Sequence, residues 1–200
     1  MINNIIPEVK ISLCSNKHIK KDIIRILSNC LNLEGFQLFS FKNDALIGVL
    51  EGPPKTPYEN GYFLFKILLS KDFPLRPPQF IFFSPIFHPN ISENGFVSVN
   101  ILQEKWSPAI LIFDKIIYSI QSLLDDPNPD NFLNEIAANF YKKDRKIYDE
   151  TVREYTSRFA NYKIFLEDIK NMNIEINTIK EGEKINKKEI LGLNYISKKF

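Results

Sequence analysis

The residues best suited to chemistry crowd into one stretch, FHPNISENGFVSVN, from Phe87 to Asn100. It holds one imidazole, His88, and three carboxamides, among them Asn90 and Asn100. It also holds a hydroxyl set between apolar neighbours, Val97-Ser98-Val99. An alcohol is almost wholly protonated at neutral pH, so a nucleophilic Ser98 needs an adjacent base. The only histidines are His18 and His88. A Ser98–His88 pair is one arrangement, and a hydrolase triad would add an orienting acid such as Asp125 or Asp126. Nothing resembling Gly-x-Ser-x-Gly surrounds Ser98, which argues against that triad. The two cysteines, Cys14 and Cys30, show no metal-site pattern, and two thiols in a chain this long fit a reducing compartment. The sequence leaves a disulfide between them open.

These residues need elements to position them. From Glu34 to Phe83, short runs rich in Phe, Ile and Leu (FQLFSF, ALIGVLEG, YFLFKILL, QFIFF) alternate with breaks of Pro, Gly and Asn. That grammar predicts an antiparallel meander of about four strands. Pro53, Pro54 and Pro57 make GPPKTPYENG a loop, and Pro74, Pro77 and Pro78 make SKDFPLRPP a stiff extended turn. In the first loop Tyr58 is expected to pack and Gly61 to supply a positive φ. Residues 84–109 read as a long irregular segment pinned by Phe87, Ile91, Val97, Val99, Ile101 and Trp106.

Helices flank the sheet. HIKKDIIRILSNCL puts Ile19, Ile23, Ile26, Leu27 and Cys30 on one stripe of a helix. Its other face carries Lys17, Lys20, Lys21 and Arg25, which by charge alone is a solvated face. Ile112, Ile116, Ile120, Leu123 and Leu124 predict a helix over 111–125, ended by DDPNPDN. A short helix over 134–141 and a longer amphipathic one over 144–162 follow. Beyond residue 163 the helical spacing is interrupted by Gly182 and Gly192, which predicts an extra helical or partly ordered tail with a basic end. The expected fold class is α+β: an N-terminal helix, a four-stranded antiparallel meander, an irregular active-site segment and C-terminal helices. The expected organisation is an extension over 1–16, a core domain over 17–160 and a second extension over 161–200.

Composition narrows the function classes. At 200 residues, 44% hydrophobic and 25% charged, the chain suits one sizeable globular domain. A net charge of +2 is too weak a bias to imply nucleic acid or membrane. No apolar run approaches the roughly 18 residues needed to span a bilayer. The start, MINNIIPEVKISLC, lacks a basic n-region, so a cytoplasmic or nuclear protein is expected. No metal and no cofactor are expected.

The order of the pieces resembles the ubiquitin-conjugating enzyme family over residues 18–160. A basic amphipathic helix is followed by EGPPKTPYENGYF, DFPLRPPQFIF, HPN at His88-Pro89-Asn90, NGFVSVNIL, WSPA at Trp106–Ala109 and SLLDDPNPDN. HPNI, WSPA and LLxDPNP together at this spacing are specific where each alone is weak. The resemblance implies transfer of ubiquitin or a ubiquitin-like modifier. In the family, an activating enzyme loads the modifier onto a cysteine as a thioester, and a ligase helps pass it to a lysine. That cysteine lies eight residues after the Asn of HPN, where this chain has Ser98. The family usually reads ICLD where Val97-Ser98-Val99-Asn100 stands, so an acid has become Asn100. A second polar position near the attacking lysine, often an acid, falls on Asn131.

The family further implies that His88 and Pro89 shape the loop. Asn90 would stabilise an oxyanion or brace the loop, with bracing favoured opposite a serine. Trp106 is expected to close the core beneath the active-site loop more than to touch a partner. Ligase and activating-enzyme contacts would fall on Lys17, Lys20, Lys21 and Arg25, on Pro74, Leu75 and Arg76, and on Ser107, Pro108 and Ala109. The implied partners are the modifier, an activating enzyme, a RING-type ligase and an active conjugating enzyme.

A serine at this position breaks or slows the relay. A cysteine has a pKa near ~8.5 and supplies some thiolate at neutral pH. An oxyester on Ser98 would react with amines far more slowly than a thioester. The leading expectation is therefore an inactive or feeble member. Its rivals are an active enzyme, through a trapping substitution or a Ser98 oxyester, and a ligase-binding module. Drift at Asn100 and Asn131 as well argues against a lone trapping change.

Overall fold

Alternation in Tyr62–Leu68 (YFLFKIL) sends successive side chains to opposite faces of a strand, and both faces find cover. The structure, a computed structural model, describes residues 5–6, 35–42, 45–108, 112–172 and 177–178. The strands are β1 (Ile5–Ile6), β2 (Phe36–Lys42), β3 (Ala45–Glu51), β4 (Tyr62–Leu68), β5 (Gln79–Phe82) and β6 (Asn177–Thr178). The helices are α1 (Ile112–Asp125), α2 (Glu135–Lys143), α3 (Arg145–Phe159) and α4 (Tyr162–Asn171). β2 to β5 form the expected antiparallel meander in sequence order, and β1 pairs with β6. The basic helix expected over residues 17–31, both cysteines, Ala109 and the tail past residue 178 lie outside the described residues.

Register is set by what each face buries. Leu46 sits opposite Ile67, and Leu50 opposite Phe63. Phe65 pairs with Phe82, and Ile67 with Phe80. These side chains fill the inner face, packed with Ile116, Ile117, Ile120 and Leu124 of α1 and with Ala137, Tyr148 and Val152 of α2 and α3. Phe36, Phe65, Phe80 and Phe82 run as an aromatic ladder, with ring centroids 5.7, 4.7 and 5.1 Å apart. Each such ring, fully buried, stabilises the fold by about 1.5–3 kcal/mol.

The outer face has its own, smaller cluster. Val49, Tyr62 and Leu64 are covered by Phe165 and Ile169 of α4. The helix expected over 144–162 in fact stops at Phe159. Asn161 then caps a new helix, its side chain accepting from the N–H groups of Lys163 and Ile164. This break turns the chain back over the sheet, and Tyr62 N–H donates to the Ala160 carbonyl at the turn, 2.7 Å. Among the described residues, no helix is long and apolar enough to cross a membrane.

The loop between β3 and β4 is pinned from within. Tyr58 is buried, and its hydroxyl bonds the Phe87 carbonyl oxygen and the Tyr148 hydroxyl, both at 2.8 Å. Burial pushes both phenols above their ordinary range and keeps them protonated. The positive φ in this loop falls on Lys55 and Asn60, which corrects the expectation for Gly61. Gly61 is required for space: a Cβ there would lie 2.6 Å from the Phe63 ring and 2.7 Å from the Thr156 methyl.

Candidate functional site

From Ser84 to Val99 the chain has little regular structure, yet hydrogen bonds hold it closely. Residues 91–97 turn back on themselves, with Ile91 bridging Val97 and Ser92 N–H donating to the Phe96 carbonyl. Gly95 makes the turn possible with φ +78°, and a Cβ there would run into the Phe82 carbonyl oxygen. The turn delivers Ser98 beside Asn90, its N–H donating to the Asn90 carbonyl at 2.9 Å.

His88 is fully buried, with its ring against Tyr58. Its Nδ1 lies 2.9 Å from the Asn90 N–H and must accept from it. Nε2 therefore carries the proton and donates to the Leu123 carbonyl at 2.8 Å. Burial holds the imidazole pKa down, to about 4, so the ring is neutral at physiological pH. Both nitrogens are committed to scaffolding, which overturns a Ser98–His88 catalytic pair.

Asn90 is equally committed. Its Nδ2 donates to the carbonyls of Asn128 and Asn131, each at 2.7 Å. Its Oδ1 accepts from the Asn128 N–H at 2.8 Å. Both N–H groups and the oxygen of that amide bond the 128–131 loop, so in this structure it braces. Pro89 continues the seam: its carbonyl accepts from Leu133 N–H and Asn134 N–H.

Ser98 is only 7% exposed. Its hydroxyl accepts from Gln103 Nε2 at 3.2 Å. Among the described residues, no recorded hydrogen bond joins Ser98 to His88, Asp125 or Asp126. Asn100 opens the short 3-10 turn Asn100–Leu102 that swings Gln103 back toward Ser98. Asn131 enters the site through its backbone carbonyl, and the residue itself is exposed. Sequence reasoning missed Gln103; its signal was a long polar side chain one tight turn past the serine.

Trp106 joins two loops. Its indole N–H donates to the Pro74 carbonyl at 3.0 Å, and its ring packs on Phe73, 6.3 Å between centroids. It is partly buried against the core. The Pro74–Arg76 loop and the Trp106–Pro108 loop therefore stand side by side. Leu75 is 77% exposed; Arg76 beside it in the chain is exposed, and Pro108 on the second loop is exposed too. Arg76 pairs with Asp72 at 3.3 Å, an exposed contact that contributes little to stability. The structure brings these loop residues together; Lys17, Lys20, Lys21, Arg25 and Ala109 lie outside the described residues.

Comparison with known proteins gives two findings. Residues 21–156 match the sequence profile of the family described as ubiquitin-conjugating enzyme. Over 113 residues the chain is 43% identical to a protein of Arabidopsis thaliana named "Probable ubiquitin-conjugating enzyme E2 31". That alignment covers 56% of this chain and 73% of the relative.

Proposed function

The chain belongs to the ubiquitin-conjugating enzyme family, and from that premise we propose that it works in ubiquitin or ubiquitin-like transfer as an inactive or feeble member, Ser98 standing where the family's thioester-forming cysteine stands. One observation carries this reading. Among the described residues the hydroxyl of Ser98 has no imidazole to activate it, because His88 has both ring nitrogens hydrogen-bonded elsewhere. A thiolate would not need that base; an alcohol does.

The surroundings of Ser98 support the same reading. Asn100 and Asn131 stand where the family often has acids, so charge that would help desolvate and orient an incoming lysine is missing. Asn90 has its amide occupied by the 128–131 loop, which favours bracing over oxyanion stabilisation. The scaffold around the reacting position is otherwise well made. A protein of this kind would engage an activating enzyme, a RING-type ligase or an active conjugating enzyme without completing transfer itself. The candidate docking parts are the loops at Pro74–Arg76 and Ser107–Ala109, with Leu75 as an exposed apolar knob, and the basic residues Lys17, Lys20, Lys21 and Arg25. Two cysteines in 200 residues fit the cytosol or nucleus as its compartment.

The test is a charging assay with ubiquitin, activating enzyme and ATP, resolved with and without reductant and after hydroxide. The expected result is no adduct on the natural chain and a reductant-sensitive adduct on Ser98→Cys. A reductant-resistant, base-labile adduct that disappears in Ser98→Ala would establish an oxyester and overturn the inactive reading.

A further inference from the structure

The two faces of the sheet are covered by different parts of the chain. On the outer face Phe165 and Ile169, one turn apart on α4, are buried against Val49, Tyr62 and Leu64. The Phe165 ring stacks on Tyr62 with centroids 5.4 Å apart, and Tyr162 meets Tyr62 edge-on at 5.3 Å. The other side of α4 is exposed at Lys163, Glu167 and Lys170. Among the described residues no α4 side chain belongs to the inner core, which the sheet builds with α1, α2 and α3. The inner cluster is therefore assembled without α4.

Two further observations mark α4 as a separable piece. The family match ends at residue 156, before α4 begins at Tyr162. At ten residues α4 is also too short to persist as a helix in water, so it is helical only while docked. Its root is firm. Ala160 is buried, its N–H donates to the Thr156 carbonyl at 3.0 Å, and its carbonyl accepts from Tyr62 N–H at 2.7 Å. Asn161 Nδ2 adds a bond to the Ser157 carbonyl at 2.7 Å. Movement can then begin just past Asn161 while α3 and β4 stay joined.

We propose that α4 is a strap that opens and closes over the outer face of the sheet while the inner core stays folded. Opening melts the helix beyond Asn161 and uncovers Val49, Tyr62 and Leu64 together. Closure restacks Phe165 on Tyr62 and buries Ile169. The open chain thus presents an apolar patch that the closed chain lacks, and the strap decides whether that patch is available. The inference does not depend on the chemistry at Ser98.

Native-state hydrogen exchange of the full chain in low urea, read by mass spectrometry, tests it. The amides of Leu166 to Asn171 should exchange roughly a hundredfold faster than those of α1, through an opening that depends little on urea because it exposes little surface. Phe165→Ser with Ile169→Ser should remove the remaining α4 protection. It should leave α1 protected and urea unfolding cooperative, and it should switch on fluorescence of the apolar dye ANS, which the unsubstituted chain does not show. Equal exchange of α4 and α1 in the unsubstituted chain, with the same urea dependence, would overturn the proposal, because the two would then unfold as one unit. So would an unprotected α4 in the unsubstituted chain, since the strap would not close. Loss of α1 protection in the double variant would overturn it too, by making α4 part of the core, as would a variant with α4 melted and no dye binding.

Discussion

The loop that surrounds the candidate reacting position and the position itself are built to different standards. His88 and Asn90 are buried with both ring nitrogens, both amide N–H groups and the amide oxygen hydrogen-bonded, at 2.7 to 2.9 Å. Ser98, across a single backbone hydrogen bond, has one side-chain contact, from Gln103 at 3.2 Å. Low-dielectric surroundings make the first set costly to disturb. The second can change with little structural consequence. The side chain at position 98 can therefore vary while the scaffold around it is held.

Removing the amide at the hub should show the largest effect. Asn90→Ala would leave two carbonyls and one N–H of the 128–131 loop without their buried partner. At roughly 1 kcal/mol per bond, with a penalty for stranded groups, urea unfolding should report a loss of about 3–4 kcal/mol. That is a large share of a typical domain's total of about 5–15 kcal/mol. A loss below about 1 kcal/mol would mean that the loop seats itself without Asn90, and the contrast with Ser98 would vanish.

His88 offers a second probe, through pH. Its folded pKa is held down to about 4 by burial, against 6.5 in the unfolded chain. Above pH 6.5 both states are neutral at this ring, and its contribution does not vary. As pH falls toward 4 the unfolded chain binds a proton that the folded one refuses, so stability drops. The expected loss from pH 7 to pH 5 is about 2 kcal/mol, approaching about 3 kcal/mol by pH 4. Urea melts at the two pH values, repeated on His88→Gln, separate this slope from that of other groups. An identical slope in the variant would show that the ring is not the buried neutral group described above.

How much of this was legible beforehand follows the same division. The four strands were readable because runs such as YFLFKILL alternate and end at Pro and Gly, and α1 because its isoleucines fall at helical spacing. HPN, WSPA and DPNP marked where the site would lie. What the residues could not disclose was long-range. That His88 donates to Leu123 and Asn90 holds Asn128 depends on elements 35 and 38 residues apart meeting in space. The break after Phe159 hinged on one asparagine serving as a cap, invisible to periodicity. Gly61 is demanded by crowding from Phe63 and Thr156 and not by a positive φ, which falls on Asn60, and only packing reveals this.

The smallest effect is the most discriminating. Ser98→Ala removes a hydroxyl that accepts one long hydrogen bond from Gln103, an exposed side chain free to turn toward water. Nothing charged is stranded, and the backbone bond from Ser98 N–H to the Asn90 carbonyl survives the substitution. Thermal and urea unfolding should place the variant within about 0.5 kcal/mol of the natural chain. A loss above about 1.5 kcal/mol would make Ser98 part of the bracing, a serine held for stability and not the relic of a nucleophile. Near-neutrality, set against the cost at Asn90, would mean that stability places little demand on which small side chain stands at position 98. The serine would then be explained by what the protein does with its partners.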